Sequence, residues 1–172
     1  MKKVVTILLV TLFIISCRIS YQFNGASIDY NLVKTIEIRD FPNQAATVYP
    51  PLSQVFSETV RDHFTKNTRL EFTNTNPDLE LEGEIVRYDL TSQSVKEQEG
   101  GRGIYATETR LTMSVRIRYM NNKKPEENKE ETITAYRDFS STVMFSEKQD
   151  DLIDELSKDI ADQIFNVTMS NW

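Results

Sequence analysis

The chain has 172 residues, of which 39% are hydrophobic and 27% are charged, a balance typical of a globular protein with one domain. Its formal net charge is −6. That charge argues against nucleic acid as a partner, because binding to phosphates needs an excess of lysine and arginine. The single cysteine excludes an intrachain disulfide and a zinc site built on cysteines.

The N-terminus has the parts of a secretory signal. Lys2 and Lys3 are followed by an apolar run at 4–15, which is too short to span a bilayer as a helix. Ser16 supplies the small residue that precedes a cleavage point, and Cys17 follows directly. The order of these parts predicts an exported protein.

The residues IISC at 14–17 resemble the bacterial lipobox, in which the cysteine becomes the lipidated N-terminus of the mature protein. We therefore predict a lipoprotein signal peptide at 1–16 and a lipidated Cys17 with a tether at 17–31. One domain is predicted at 32–172, held at a membrane by the lipid anchor. The alternative is a plain signal peptide followed by a chance cysteine.

The first predicted strand covers 33–39 and ends before Pro42, because proline cannot continue a strand ladder. A helix follows at 50–67. Its apolar residues recur at helical spacing and form one stripe: Leu52, Val55, Phe56, Val60 and Phe64.

Three further strands are predicted at 79–90, 105–120 and 129–139. In the first of them the alternation of apolar and polar residues changes phase after Ile85. Either a β-bulge or burial on both faces explains that change. The stretch 94–106 is the most loop-like part of the chain, because it contains three of the five glycines.

The last predicted element is a helix at about 147–169, with its apolar stripe starting at Leu152. Acidic residues crowd its first turns, where they oppose the positive end of the helix dipole. Catalysis or metal binding by paired acids is the alternative. The acids concerned are Glu147, Asp150, Asp151, Asp154 and Glu155.

The element order is therefore β-α-β-β-β-α. Consecutive hairpin-like strands imply antiparallel pairs, and the β-α-β opening implies one parallel pair. Each helix has a single apolar stripe, so both can cover the same side of a sheet. We predict an α+β two-layer sandwich, with a four-stranded mixed sheet and two helices on one face.

The sequence shows no arrangement of side chains that is typical of a catalytic site. His63 is the only histidine, it borders the helix stripe, and the local sequence supplies no partner for it. The glycines at 100, 101 and 103 precede a strand rather than a helix, which does not fit a phosphate-binding loop. We predict no enzyme activity, no catalytic residue, no metal site and no cofactor.

The uncovered sheet face offers the most informative side chains, namely Arg110, Arg116 and Arg118. In a simple hairpin, Glu82 lies near Arg116 and Glu80 lies near Arg118. These residues then form cross-strand ion pairs. The alternative is a basic strip that binds a phosphorylated or carboxylated ligand.

Five segments together resemble a known family. They are FNGASI, FPNQAATVYPPLSQVFSETVRDHFTKNTRLEF, DLELEGEIVRYDLTSQSV, RLTMSVRIRY and the ending FSSTVMFSEKQDDLIDELSKDIADQIFNVTMSNW. The family is that of the LptE-type lipopolysaccharide-assembly lipoproteins of the Bacteroidetes. The resemblance runs from about Phe23 to Trp172, and it is a pattern of ordered segments rather than a catalytic motif.

The resemblance implies an outer-membrane lipoprotein, anchored in the periplasmic leaflet, with an LptD-type β-barrel as its partner. It implies that the chain plugs the barrel, supports barrel assembly and assists delivery of lipopolysaccharide to the cell surface. Arg110, Arg116 and Arg118 are then candidate contacts for the barrel or for lipopolysaccharide. Two other hypotheses are an independent lipoprotein that binds a lipid or glycan, and an envelope hydrolase that uses His63.

Overall fold

The computed structural model describes residues 28–94 and 106–169. The predicted signal peptide, Cys17 and most of the predicted tether lie outside the described residues. The glycines of the predicted loop also lie outside them. Within the described ranges, no helix is both long enough and apolar enough to cross a membrane.

Five strands and two helices make up this part of the chain. In order they are β1 Thr35–Ile38, α1 Pro51–Asn67, β2 Glu71–Phe72, β3 Leu79–Ser94, β4 Ala106–Asn121, β5 Lys129–Ser140 and α2 Phe145–Met169, with a 3₁₀ turn at Pro125–Glu127. The strands form one sheet in the order β2-β1-β3-β4-β5. β1 is parallel to both of its neighbours, and the β3–β4 and β4–β5 pairs are antiparallel.

The predicted α+β class, the mixed sheet and the two helices are confirmed, but the prediction of four strands is wrong. The missing strand is β2, which has two residues and is therefore too short to show an alternation of apolar and polar side chains. It exists because β1 lies beside it. The Glu71 N–H donates to the Lys34 carbonyl at 2.9 Å, and the Thr73 N–H donates to the Ile36 carbonyl at 3.1 Å.

The core lies between the sheet and the helices, which pack side by side on one face of it. Of the predicted stripe on α1, Leu52, Phe56, Val60 and Phe64 are buried and Val55 is partly buried against the core. The buried apolar residues of α2 are Leu152, Ile153, Leu156, Ile160, Ala161, Ile164, Phe165 and Met169. Burial of this apolar surface is the main source of stability.

Of the two explanations for the phase change in β3, the structure shows the β-bulge, at Val86. Ile85 pairs with Val115, whereas Arg87 already pairs with Ser114. The bulge lies where the segment after β1 runs beside β3. The Ile85 N–H donates to the Pro42 carbonyl at 2.9 Å, an arrangement that needs no N–H from the proline.

Candidate functional site

The side of the sheet opposite the helices, called the open face below, carries mainly charged and hydroxyl-bearing side chains. Strand alternation produces this face, because core residues and open-face residues take turns along each strand. From three strands its members include Glu80, Glu82, Glu84, Arg87 and Asp89 on β3, Arg110, Thr112, Ser114, Arg116 and Arg118 on β4, and Glu130, Thr132, Thr134, Tyr136 and Asp138 on β5. Glu37 and Arg39 extend it beside β3.

Arg39 is the centre of an ion-pair cluster at one end of the open face. Its guanidinium lies 2.6 Å from a Glu82 oxygen, 3.4 Å from Glu37 and 3.4 Å from Glu80. The hydrogen bond to Glu37 makes the largest contribution to raising the pKa of Arg39. Arg39 was not among the predicted site residues, although the alternation at 33–39 places it on the same side as Glu37.

Arg116 and Arg118 both lie on the open face and both have a carboxylate partner, but the predicted pairs are wrong. Arg118 contacts Glu82, and Arg116 lies 3.6 Å from Glu84. The predicted partners were Glu80 for Arg118 and Glu82 for Arg116. A shift of two residues keeps every side chain on the same face of a strand, so the alternation pattern did not distinguish the two registers.

Arg110 lies at the other end of the open face and is held by two neighbours. It donates two hydrogen bonds to Asp138, at 2.7 and 2.8 Å, and its guanidinium carbon lies 3.7 Å from the centre of the Tyr136 ring. These hydrogen bonds lower the pKa of the Asp138 carboxyl. A planar guanidinium suits both contacts at once.

Between the two charged ends, the open face is built from short hydroxyl side chains. Thr112 and Ser114 are only 6% exposed although they point away from the helices. The Thr134 hydroxyl donates to the Ser114 hydroxyl at 2.8 Å. The side chains at the centre of the open face are therefore short and hydrogen-bonded, and longer side chains surround them.

The predicted arginines do not form a basic strip by themselves, since each has an acidic partner. An open groove of about 380 Å³ passes over the Arg39 end, and its lining includes three arginines and also Glu82, Glu84, Glu130 and Asp40. Carboxylates at this density repel anionic ligands. The open face is a surface of mixed charge, which suits contact with another polar surface.

His63 packs at the edge of the core rather than in a catalytic group. Its ring meets Phe165 edge-on, with 5.2 Å between ring centres, and its Nε2 lies 3.7 Å from an Asp162 oxygen. Burial lowers the pKa of His63, and Asp162 only partly opposes this effect. The imidazole is therefore neutral at pH 7, which fits a packing role.

The acids in the first turns of α2 lie on its exposed side, as their position on the helix face indicated. No group of three or more His, Cys, Asp or Glu side chains that could hold a metal ion occurs within 28–94 and 106–169. Asp150 instead accepts a hydrogen bond from the Tyr49 hydroxyl at 2.7 Å, which ties the loop before α1 to α2.

Solved structures are similar to the chain at low sequence identity. A protein from Xanthomonas campestris has a TM-score of 0.52 and 12% identity, over 78% of this chain and 84% of that one. A hypothetical protein from Chlamydia trachomatis has a TM-score of 0.49 and 10% identity, over 81% and 99% of the two chains. A minor lipoprotein from Acinetobacter baumannii has a TM-score of 0.44 and 15% identity, over 74% and 87%. The first similarity supports the fold alone.

No curated protein sequence matches the chain. A family model does match it, over residues 33–168, and that model is described as LptE, lipopolysaccharide-assembly. The match covers β1 to α2, and therefore both the core and the open face. Proteins of this family are non-enzymatic lipoproteins of the outer membrane. The chain belongs to the LptE family of lipopolysaccharide-assembly lipoproteins.

Proposed function

We propose that the chain sits in the lumen of an LptD-type outer-membrane β-barrel, plugs that barrel, supports its assembly and assists delivery of lipopolysaccharide to the cell surface. The observation that carries the proposal is the open face, a polar surface spanning three strands beside a well-packed core. The interior of a large membrane barrel is also polar. A plug must therefore offer polar groups that are already oriented.

The charge pattern of the open face suits such a contact. Ion pairs at both ends hold the long side chains in place, so less side-chain entropy is lost when a partner binds. The short hydroxyls of Thr112, Ser114 and Thr134 leave room for a close approach at the centre. Charges of both signs favour one orientation and one partner over others.

The open face also bears on how lipopolysaccharide is handled. Because Arg110, Arg116 and Arg118 each contact a carboxylate, they are poor candidates for binding phosphate groups without rearrangement. We therefore assign these three arginines to the barrel contact. Lipopolysaccharide is then handled by the barrel and the lipoprotein together.

An independent lipid- or glycan-binding lipoprotein remains the alternative. A lipid tail needs an enclosed apolar cavity. The groove of about 380 Å³ on the open face is open and lined mainly by charged side chains. This groove does not favour a lipid ligand.

Purification from native envelopes tests the barrel contact. Full-length chain carrying a C-terminal tag should recover a large β-barrel protein. The double variant Arg116→Glu/Arg118→Glu should lower that recovery about tenfold, because it reverses two of the charges that the open face presents to the barrel. Quantitative mass spectrometry of the eluate provides the measurement.

A matched control uses the helix side of the molecule. The double variant Lys148→Glu/Lys158→Glu makes the same change in charge on α2, where both lysines are exposed and ion-paired with aspartates. We expect it to recover as much barrel as the unchanged chain. Equal losses in both double variants would contradict the assignment to the open face. Recovery of the lipoprotein alone, under conditions that preserve other barrel complexes, would contradict the barrel proposal itself.

The second prediction concerns attachment through a lipid at Cys17 in the periplasmic leaflet of the outer membrane. Each buried methylene contributes about 0.8 kcal/mol, so several acyl chains hold a protein firmly. Cys17→Ser should therefore move most of the chain from the membrane fraction to the soluble periplasmic fraction, as measured by fractionation and blotting. Ser16→Ala, which keeps the cysteine and a small residue before it, is the control. Full membrane retention of Cys17→Ser would exclude the lipid as the main anchor.

A further inference from the structure

The free edge of β5 is the longest strand edge without a partner in the residues that the structure describes. β5 pairs with β4 from Lys129 to Ser140, with continuous register and without a bulge. At the opposite margin of the sheet, β2 has only two residues. The end of β3 at 87–94 also lacks a second partner within the described ranges, but it is shorter.

The middle of this edge lacks the features that usually block pairing with another chain. Such features are charges, prolines, bulges and very short strands. The charges of β5 lie near its ends, whereas the five residues Thr132–Tyr136 (TITAY) have no charge and no proline. Three of the five are β-branched, and Tyr136 is 51% exposed. This segment is well suited to extended pairing.

A groove runs along the same part of the edge. It has a volume of about 390 Å³, and it is lined by residues 134–137 of β5 together with Asp159 and Gln163 of α2. The side of an added strand that faces α2 would therefore meet helix side chains. The other side would meet the threonines and the exposed ring of Tyr136.

The helix side of the groove carries Asp159, and Glu155 lies one turn before it, just outside the groove lining. Glu155, Asp159 and Gln163 follow one another at a spacing of four residues, so they form a row on one side of α2. Arg137 lies 3.1 Å from Glu155 and 3.0 Å from Asp159, which places one positive charge against two carboxylates. A segment in the groove would be favoured if it carried lysine or arginine.

We propose that the edge of β5 at Thr132–Tyr136 is a docking site for an extended, cationic segment of a partner protein, which adds a sixth strand to the sheet. Main-chain hydrogen bonds to β5 supply the affinity, and basic side chains directed towards Glu155 and Asp159 supply the specificity. This proposal concerns the edge of the sheet, and it does not depend on the open face or on the identity of the barrel.

A second copy of the chain fits this edge less well. Helix α2 contains seven acidic residues and two lysines. It packs directly against β5, where Arg137 joins the two elements. Pairing of two β5 edges would therefore bring two acidic helices towards each other, and like charges at short range repel.

A set of short peptides tests the proposal with the full-length chain unchanged. The parent probe is a nine-residue peptide in which lysine alternates with threonine and valine. Two versions carry backbone N-methyl groups on alternate residues, one version for each edge of the extended peptide. A further version replaces every lysine by glutamate. Hydrogen exchange of the β5 amides and peptide titration by NMR provide the readouts.

The parent peptide should slow exchange at Thr132–Tyr136 and leave the exchange of β2 unchanged. One N-methylated version should bind about as well as the parent, and the other should bind at least about tenfold more weakly, because it cannot donate hydrogen bonds to β5. The glutamate version should also bind at least about tenfold more weakly. Added salt should weaken the binding of the parent peptide to the chain.

Several outcomes would overturn the proposal. Equal binding of the two N-methylated versions would mean that main-chain pairing is not the contact. An unchanged exchange pattern with the parent peptide at about 1 mM would mean that the edge does not accept a strand. Protection of the same amides in the chain alone would identify another occupant. That occupant is a second copy if the protection rises with protein concentration, and a segment of the same chain if it does not.

Discussion

Gly83→Ala should lower the free energy of unfolding by about 3 kcal/mol, at the upper end of the usual cost of overpacking. A Cβ atom at position 83 would lie 2.3 Å from the Arg116 carbonyl oxygen and 2.8 Å from Cε1 of Phe41. The carbonyl belongs to the neighbouring strand β4, so it moves only if the sheet itself shifts. Phe41 is fully buried and meets Phe56 edge-on, with 5.1 Å between ring centres, so it has little room to retreat.

Urea denaturation at pH 7, followed by circular dichroism, measures this loss. The midpoint should fall while the slope with denaturant stays the same. Glu84→Ala is the matched control, because the neighbouring side chain points to the open face and is only weakly paired with Arg116. Its effect should stay within about 0.5 kcal/mol. A loss below about 1 kcal/mol for Gly83→Ala would contradict the tight packing of Phe41 over this position.

Asp78→Ala should lower the free energy of unfolding by about 2 kcal/mol at neutral pH, which is the usual contribution of hydrogen bonds to a charged group. The carboxylate joins three parts of the sheet that lie far apart in sequence. It accepts hydrogen bonds from the N–H groups of Lys34 at 2.8 Å and Thr35 at 3.1 Å. It also lies 2.9 Å from the Lys123 ammonium. Removing it leaves two backbone donors at the start of β1 without their partner.

The same contacts give this prediction a pH dependence. The hydrogen bond from Lys34, followed by the contact with Lys123, lowers the pKa of Asp78 from 3.8 to about 2. The folded state therefore favours the ionised carboxylate, and the stability gained from it is present above pH 3.8 and lost as the pH falls through about 2. The difference in free energy of unfolding between the unchanged chain and Asp78→Ala should become about 1 kcal/mol smaller between pH 6 and pH 3.

Urea titrations of both proteins across this pH range provide the measurement. Asp62→Ala is the control, since Asp62 is an exposed acid paired with Lys66 within α1. Surface pairs of this kind contribute about 0–1 kcal/mol, so this variant should lose less stability at neutral pH than Asp78→Ala. If the difference in free energy of unfolding between the unchanged chain and Asp78→Ala stays constant from pH 6 to pH 3, the ionised carboxylate does not link β1, β3 and the turn after β4.

The amino-acid sequence predicted both helices closely. The expected helices at 50–67 and 147–169 correspond to Pro51–Asn67 and Phe145–Met169. The apolar spacing of 3.6 residues is a local property, so it can be read from the chain directly. All four predicted strands are present, and three of them followed in the same way from a period of two. The phase change after Ile85 left a bulge as one of two explanations, and the pairing of β3 with β4 decided between them.

Other features depend on which segments meet. β2 is a strand only because β1 lies beside it, and its two residues carry no periodic pattern. The central position of Arg39 among three glutamates needs β1 and β3 to lie side by side in one register. The role of Asp78 in linking β1 to the turn after β4 was not predicted, because its partners lie 43 to 45 residues away in the chain.

The sequence by itself determined the N-terminal signal pattern as a prediction, the helices, the longer strands and the face on which Arg110, Arg116 and Arg118 lie. Only the tertiary structure decided the fifth strand, the register that pairs Glu82 with Arg118, and the edge of β5 that has no partner among the described residues. The physical reason is that periodicity specifies which way a side chain points, whereas its neighbour is specified by the packing of the whole sheet. A slip of two residues changes every pair and leaves the periodicity intact.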